Sequence, residues 1–224
     1  MAVAVRFRAA VALVGRFPAL AGVDLDVACG ERLLVTGPNG AGKTSLLRAC
    51  AGLLAVTAGE AQVLGHDLRR DRRSVRRSVA MLGHATFLYD DLTVVDNLRF
   101  AVRAARGDQG AVDPALARLG LDGRLRRTMV GRLSAGQRRR VAIATVVARA
   151  PELWLLDEPH AGLDAAGRDV LDEEMLAASS RGATIILASH ETERAGALAG
   201  RTARMAGGQV VAVPLRSEEP VHVA

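Results

Sequence analysis

The sequence predicts an α/β fold: a mostly parallel sheet with both faces covered, and an α-helical subdomain inserted at about residues 85–150. Three observations predict it. Short apolar runs of strand length, "ERLLVTG" (31–37), "ELWLLD" (152–157) and "ATIILASH" (183–190), alternate with segments whose apolar residues recur at helical spacing. Apolar runs of this kind suit strands buried on both faces, which is where parallel strands lie. A glycine-rich segment, "GPNGAGKT" (37–44), joins the first of these strands to a helix, and the middle of the chain is nearly all helix.

The elements follow in order. After strand 31–37, "KTSLLRACAGLL" (43–54) reads as a helix. "GEAQVLG" (59–65) is a short strand between glycines, and "SVAMLGH" (78–84) is a further strand. The segment from about 93 to 127 is helical and charged, broken by the turn chemistry of "GDQGAVDP". "AGQRRRVAIATVVARA" (135–150) is a helix with a basic start and an apolar body. Strand 152–157 leads to the helix "AAGRDVLDEEMLAASS" (165–180), then to strand 183–190 and a final hairpin in "TARMAGGQVVAV" (202–213). The expected organisation is one domain, with a core of about 1–84 and 151–213 and a tail at 214–224.

Half of the residues are hydrophobic but only 3% are aromatic, so the core is expected to be mostly Ala, Val and Leu. Cys29 and Cys50 have no metal-ligand spacing and read as ordinary buried thiols in a reducing compartment. No apolar run reaches the about 18 to 20 residues of a membrane-spanning helix. The first residues carry arginines within the apolar stretch and no clear cleavage site, and read as mature protein. The net charge of +6 comes from arginine. The cluster "RRDRRSVRR" (69–77) reads as a solvated face, with anionic lipid or nucleic acid as the other readings. It has no interleaved aromatics to stack bases, and no nucleic-acid partner is expected.

"GPNGAGKT" fits G-x-x-x-x-G-K-[ST] between a strand and a helix. Gly37, Gly40 and Gly42, with Pro38, Asn39 and Ala41 between them, let backbone N–H groups curl around phosphate oxygens at a helix N-terminus. Lys43 would bridge the β- and γ-phosphates of ATP, the Thr44 hydroxyl would bind Mg²⁺, and Ser45 would add a hydrogen bond to phosphate. Lys43 is the only lysine of the chain. A protein that uses arginine everywhere else keeps a compact ammonium at this one position. In "LWLLDEP" (153–159), Asp157 ends a strand where it can hold Mg²⁺, and Glu158 is placed to polarise a water for attack on the γ-phosphate.

The phosphate loop, "LSAGQ" (133–137) and the Asp157–Glu158 pair occur in the order and spacing of a known family. From about residue 13 to 213 the chain resembles the nucleotide-binding subunits of ATP-binding cassette (ABC) transporters, with Ala135 in place of a glycine in the LSGGQ signature. The resemblance implies a P-loop NTPase cassette with a RecA-like core sheet, an antiparallel β portion and an inserted helical subdomain. It implies that Ser134, Gly136 and Gln137 contact the ATP of a second cassette in a head-to-tail dimer. It places Asp164 of "AGLD" (161–164) at that interface and His190 as a switch histidine on the γ-phosphate. Integral membrane subunits are the implied partners, with the cassette peripheral on the cytoplasmic face of the membrane. Their cytoplasmic helix would dock near residues 85–103, where Phe87, Leu88 and Tyr89 are either core or an exposed anchor.

Two departures stand out. The family's adenine-stacking aromatic falls on Val14, with Phe17 as a nearby substitute. The family's Q-loop glutamine falls on His84, which could contact the γ-phosphate or metal-bound water with a pH-sensitive charge. His66, His160 and His222 read as surface residues. "LGH", "GAGKTSLLR", "LSAGQRRRVA" and "LWLLDEP" together resemble the heme exporter ATPases of cytochrome c maturation. A cassette of a drug or lipid exporter, or a soluble ABC ATPase of DNA repair or translation, remains open at this point.

Overall fold

The computed structural model describes residues 2–190 and 192–212. Along the chain run β1 (Val3–Val14), β2 (Phe17–Ala28), β3 (Arg32–Thr36), α1 (Lys43–Cys50), β4 (Val56–Val63), β5 (His66–Asp67), α2 (Leu68–Asp71), β6 (Val79–Leu82) and α3 (Val94–Ala104). They are followed by α4 (Val112–Arg118), α5 (Gly123–Arg126), α6 (Ala135–Arg149), β7 (Leu153–Asp157), α7 (Ala165–Ser180), β8 (Thr184–Ala188), α8 (Thr192–Leu198), β9 (Arg201–Ala206) and β10 (Gln209–Ala212).

Six strands form the main sheet in the order β10-β9-β3-β8-β7-β6, parallel throughout except for the terminal β9–β10 hairpin. A second sheet, β2-β1-β4-β5, is antiparallel. The fold class is therefore the expected one. The hairpin β1–β2 is an addition that the pattern of apolar runs did not single out. Its signal was a period of two: Val5 and Phe7 point into the core while Arg6 and Arg8 point out to Asp26. The expected final hairpin ends at Ala212 among the described residues; Val213 and the expected tail lie outside them.

Alternate side chains of the parallel strands enter two different cores. Leu33, Val35, Leu153, Leu155 and Ile186 pack with Leu46 and Leu47 of α1 and with Val5 and Phe7 of the antiparallel sheet. Leu34, Trp154, Leu156 and Leu187 face the other way, against Leu98 of α3, Leu116 of α4, Ile143 of α6 and Leu171 of α7. This double burial explains the uninterrupted apolar runs, each buried leucine contributing about 1.5–3 kcal/mol of transfer free energy. The helices α3, α4 and α6 share their core with the sheet face they cover. Cys50 is buried, and burial pushes its thiol up to about 12. Cys29, expected to be buried, is exposed at the turn after β2.

The consequence for function is geometric. The loops that leave the carboxyl ends of β3, β6, β7 and β8 open on one edge of the parallel sheet, the place where open α/β sheets bind ligands.

Candidate active site

The loop after β3 turns through Gly37, Gly40 and Gly42 at φ of +143°, +79° and +102°. Two of these glycines are required by close packing as well as by conformation. A Cβ on Gly37 would lie 2.3 Å from the Met205 carbonyl oxygen, and one on Gly42 would lie 2.7 Å from that of Ala19. Gly42 caps α1, whose first turn carries no acidic residue, so the positive helix end is left for an anion. Lys43 is buried, its Nζ donating to the carbonyls of Gly37 at 2.7 Å and Pro38 at 3.1 Å and lying 3.4 Å from His190 Nε2.

Residues 39–45 line a cleft together with Ala19, His84, Asp157, Glu158 and His190. The Thr44 hydroxyl donates to Asp157 Oδ2 at 2.7 Å. A hydroxyl and a carboxylate oxygen side by side are hard-oxygen donors of the kind Mg²⁺ takes alongside phosphate oxygens, so the residues present fit that ion.

Glu158 follows with its backbone in the left-handed region at φ +46°, its N–H donating to the Ala188 carbonyl at 2.9 Å. Its Oε2 accepts from Ser189 Oγ and from the His190 N–H, both at 3.3 Å. Its Oε1 is buried and accepts no hydrogen bond; His190 Nε2 lies 3.6 Å from it. A carboxylate with one oxygen tethered and one unengaged is equipped to take a proton from a water in the cleft.

Ser134, Gly136, Gln137 and Asp164 do not line this cleft. Ser134 caps α6 in a reciprocal box: its Oγ accepts from the Gln137 N–H at 3.2 Å, and Gln137 Oε1 accepts from the Ser134 N–H at 3.0 Å. Asp164 caps α7 through the Gly167 N–H at 3.0 Å and accepts from Arg140 at 2.7 Å and 2.8 Å. Arg140 and that N–H together hold its carboxyl below the usual carboxylate range. A Cβ on Gly136 would come within 3.5 Å of the Gly162 carbonyl oxygen, so the start of α6 lies against the loop that ends at Asp164.

The three arginines after Gln137 separate. Arg138 pairs with Asp90 at 2.6 Å and Arg140 with Asp164. Arg139 turns inward and donates to the carbonyls of Gly83 at 2.6 Å and Glu158 at 2.7 Å. Its burial pushes the guanidinium below its usual range, against the pull of Asp157. The expectation of a basic helix start missed it. The available signal was spacing: Arg139 stands three and four residues before Ala142 and Ile143, which are both buried.

One further sequence expectation is corrected. His160 is not a surface residue: it is 2% exposed, with Nε2 2.6 Å from Asp172 Oδ1. Asp172 in turn accepts from Arg194 Nε at 2.7 Å, so the turn after β7 is pinned to α7 and α8. Phe87 and Tyr89 are exposed, whereas Leu88, between them, packs on the core, so the three do not act as one group. His66 is exposed as expected, and His222 lies outside the described residues. Val14 and Phe17 are exposed on either side of the β1–β2 turn, and it is Ala19 of that hairpin that lines the cleft.

Comparison with known proteins decides the family. The family model described as "ABC transporter" matches residues 20–161. The chain belongs to the ABC transporter family. The cassette is 39% identical to a Salmonella paratyphi A protein named "Cytochrome c biogenesis ATP-binding export protein CcmA 1" over 84% of this chain and 90% of the relative. It is 43% identical to a CcmA of Aromatoleum aromaticum over 76% of this chain and 80% of the relative. Among solved structures, the ATP-binding subunit of an ABC transporter superposes with a TM-score of 0.88 at 25% identity, covering 95% of this chain and 90% of the other. The dimeric cassette MJ0796 bound to ADP and Pi superposes with a TM-score of 0.86 at 22% identity, covering 96% of this chain and 100% of the other, and shows the shared fold. The cassette is thus an ATP-binding, ATP-hydrolysing unit of the ABC transporter family. Among the described residues, no helix is long and apolar enough to cross a membrane.

Proposed function

We propose that this cassette hydrolyses ATP to drive export of heme by separate membrane subunits during cytochrome c biogenesis, on the cytoplasmic face of the membrane. The convergence of Lys43, Thr44, Asp157, Glu158 and His190 on one cleft carries the hydrolytic part of this reading. The names of the relatives support the cargo.

Residues 37–45 hold the phosphates by backbone N–H groups, with Lys43 leaving its two carbonyls to meet the β- and γ-oxygens. Thr44 and Asp157 would hold Mg²⁺, which would neutralise phosphate charge. Glu158 takes the proton of the attacking water on its unengaged Oε1. His190, between Lys43 and Glu158, donates to the γ-phosphate, and His84 faces it from the end of β6.

Ser134, Gly136, Gln137 and Asp164 do not line this chain's own cleft. We assign them to the ATP of a second cassette, held head to tail, where the capped end of α6 presents its N–H groups to the γ-phosphate. Phe87, 82% exposed, and Tyr89, packed edge-on to the exposed Phe100 with ring centroids 5.1 Å apart, form the surface for the membrane subunits. The test is genetic and biochemical. Cells lacking this chain should accumulate apocytochrome c without covalently attached heme, and the wild-type chain should restore attachment. Normal heme attachment in the deletion strain would assign the cassette to another exporter.

A further inference from the structure

Arg139 is an expensive residue for its place. Its side chain lies in the interior at 7% exposure, and among the described residues it forms no salt bridge. Its partners are backbone carbonyls, of Gly83, Glu158 and, at 3.4 Å, Asp157. Its Nε is buried without an acceptor. The Asp157 carboxylate offsets only part of the cost of burying this charge, and a neutral donor would satisfy the same carbonyls without it, so stability alone does not account for a guanidinium here.

The carbonyls it selects do account for it. Gly83 immediately precedes His84, and Glu158 is the residue held at φ +46°, a conformation disfavoured for a side chain of this size. The Glu158 carbonyl also accepts from the Ala161 N–H at 3.2 Å, and the Glu158 N–H is taken by Ala188. Arg139 thus closes a set of bonds that fixes the Glu158 backbone from α6, from β8 and from within its own turn. It does so from α6, two residues after Gln137, and its planar fork holds the two carbonyls at a fixed separation, which the single nitrogen of a lysine does not.

We propose that Arg139 is a positioning residue for hydrolysis: it locks the Glu158 backbone and the segment leading to His84 to the helix that begins at Ser134. This rests on the reading of Glu158 as the base. Movement of α6 when its N-terminus engages a second nucleotide is passed by one buried side chain to both Glu158 and His84.

The experiment compares the purified full chain with Arg139→Met and Arg139→Lys, measuring kcat, KM, ATP affinity and melting temperature, with Glu158→Gln alongside. The expected result is a fall in kcat of about tenfold or more in Arg139→Met, with KM and ATP affinity within about twofold. ATP-bound dimer should accumulate on size-exclusion chromatography, as it should for Glu158→Gln, a signature that mere loosening of the core would not produce. Arg139→Lys should lie between Arg139→Met and the wild type. Wild-type kcat in either folded variant overturns the proposal, as does a loss confined to ATP affinity. Failure of both variants to fold makes Arg139 a structural strut and overturns it equally. Turnover in Glu158→Gln would remove the base reading itself, whereas arrest in Glu158→Gln with normal Arg139 variants would remove only this inference.

Discussion

Thr44 and Asp157, 113 residues apart in the chain, meet at 2.7 Å, the hydroxyl of one donating to Oδ2 of the other. The pairing joins the first turn of α1 to the end of β7 and brings two hard oxygens to the floor of the phosphate cleft. Thr44→Val keeps the shape of the side chain and removes one of them. The Mg²⁺ concentration for half-maximal turnover should rise by about tenfold, while ATP binding without Mg²⁺ stays near wild type. An unchanged Mg²⁺ titration would place the ion elsewhere.

Glu158→Gln should bind ATP normally and hydrolyse it about a thousandfold more slowly, because the amide keeps the volume and loses the proton acceptor. The Oε1 that accepts no hydrogen bond is the atom being tested. Turnover within a few-fold of wild type would assign the base to another group.

Lys43→Arg should weaken ATP binding by about tenfold or more, although arginine is the habitual cation of this chain. The ammonium sits between the Gly37 and Pro38 carbonyls and 3.4 Å from His190, in a space that a planar guanidinium overfills. Titration with nucleotide decides it; equal affinity would show that the cleft accepts the larger group.

Phe87→Ala and Tyr89→Ala should leave the isolated cassette's melting temperature and basal turnover largely intact, since both side chains are exposed. Co-purification with the membrane subunits should fall in each. A large loss of thermal stability, or normal assembly of both variants, would count against a docking role.

His160→Ala should destabilise the fold by roughly 2–4 kcal/mol, from the cavity left in the interior and the lost partner of Asp172. Urea denaturation checks this, and an unshifted midpoint would show the contact with Asp172 to be energetically idle.

Much of the fold was legible because the physics that makes it is local. Strands buried on both faces need unbroken apolar runs, so β3, β7 and β8 announced themselves. The 165–180 helix coincided with α7, since its spacing and its capping Asp164 are both written in consecutive residues. The hairpin β1–β2 was missed because its alternation is interrupted by register shifts, with Ala9 in the left-handed region between them. Its outward arginines read as charge, not as the exposed face of a strand.

The candidate site divides in the same way. By itself the sequence determined the phosphate loop, the position of Asp157 at the end of a buried strand with Glu158 next to it, and the isolation of Lys43 as the one lysine, because each is fixed by residues adjacent in the chain. Only the tertiary structure decided which side His160 faces, that Phe87 and Tyr89 are exposed while Leu88 is not, and that the middle arginine of three reaches the Glu158 carbonyl. Consecutive residues on a helix point about 100° apart, so three identical side chains meet three different surroundings. Their destinations at Asp90, Glu158 and Asp164 depend on how α6 lies across strands and loops far from it in sequence, which local spacing does not encode.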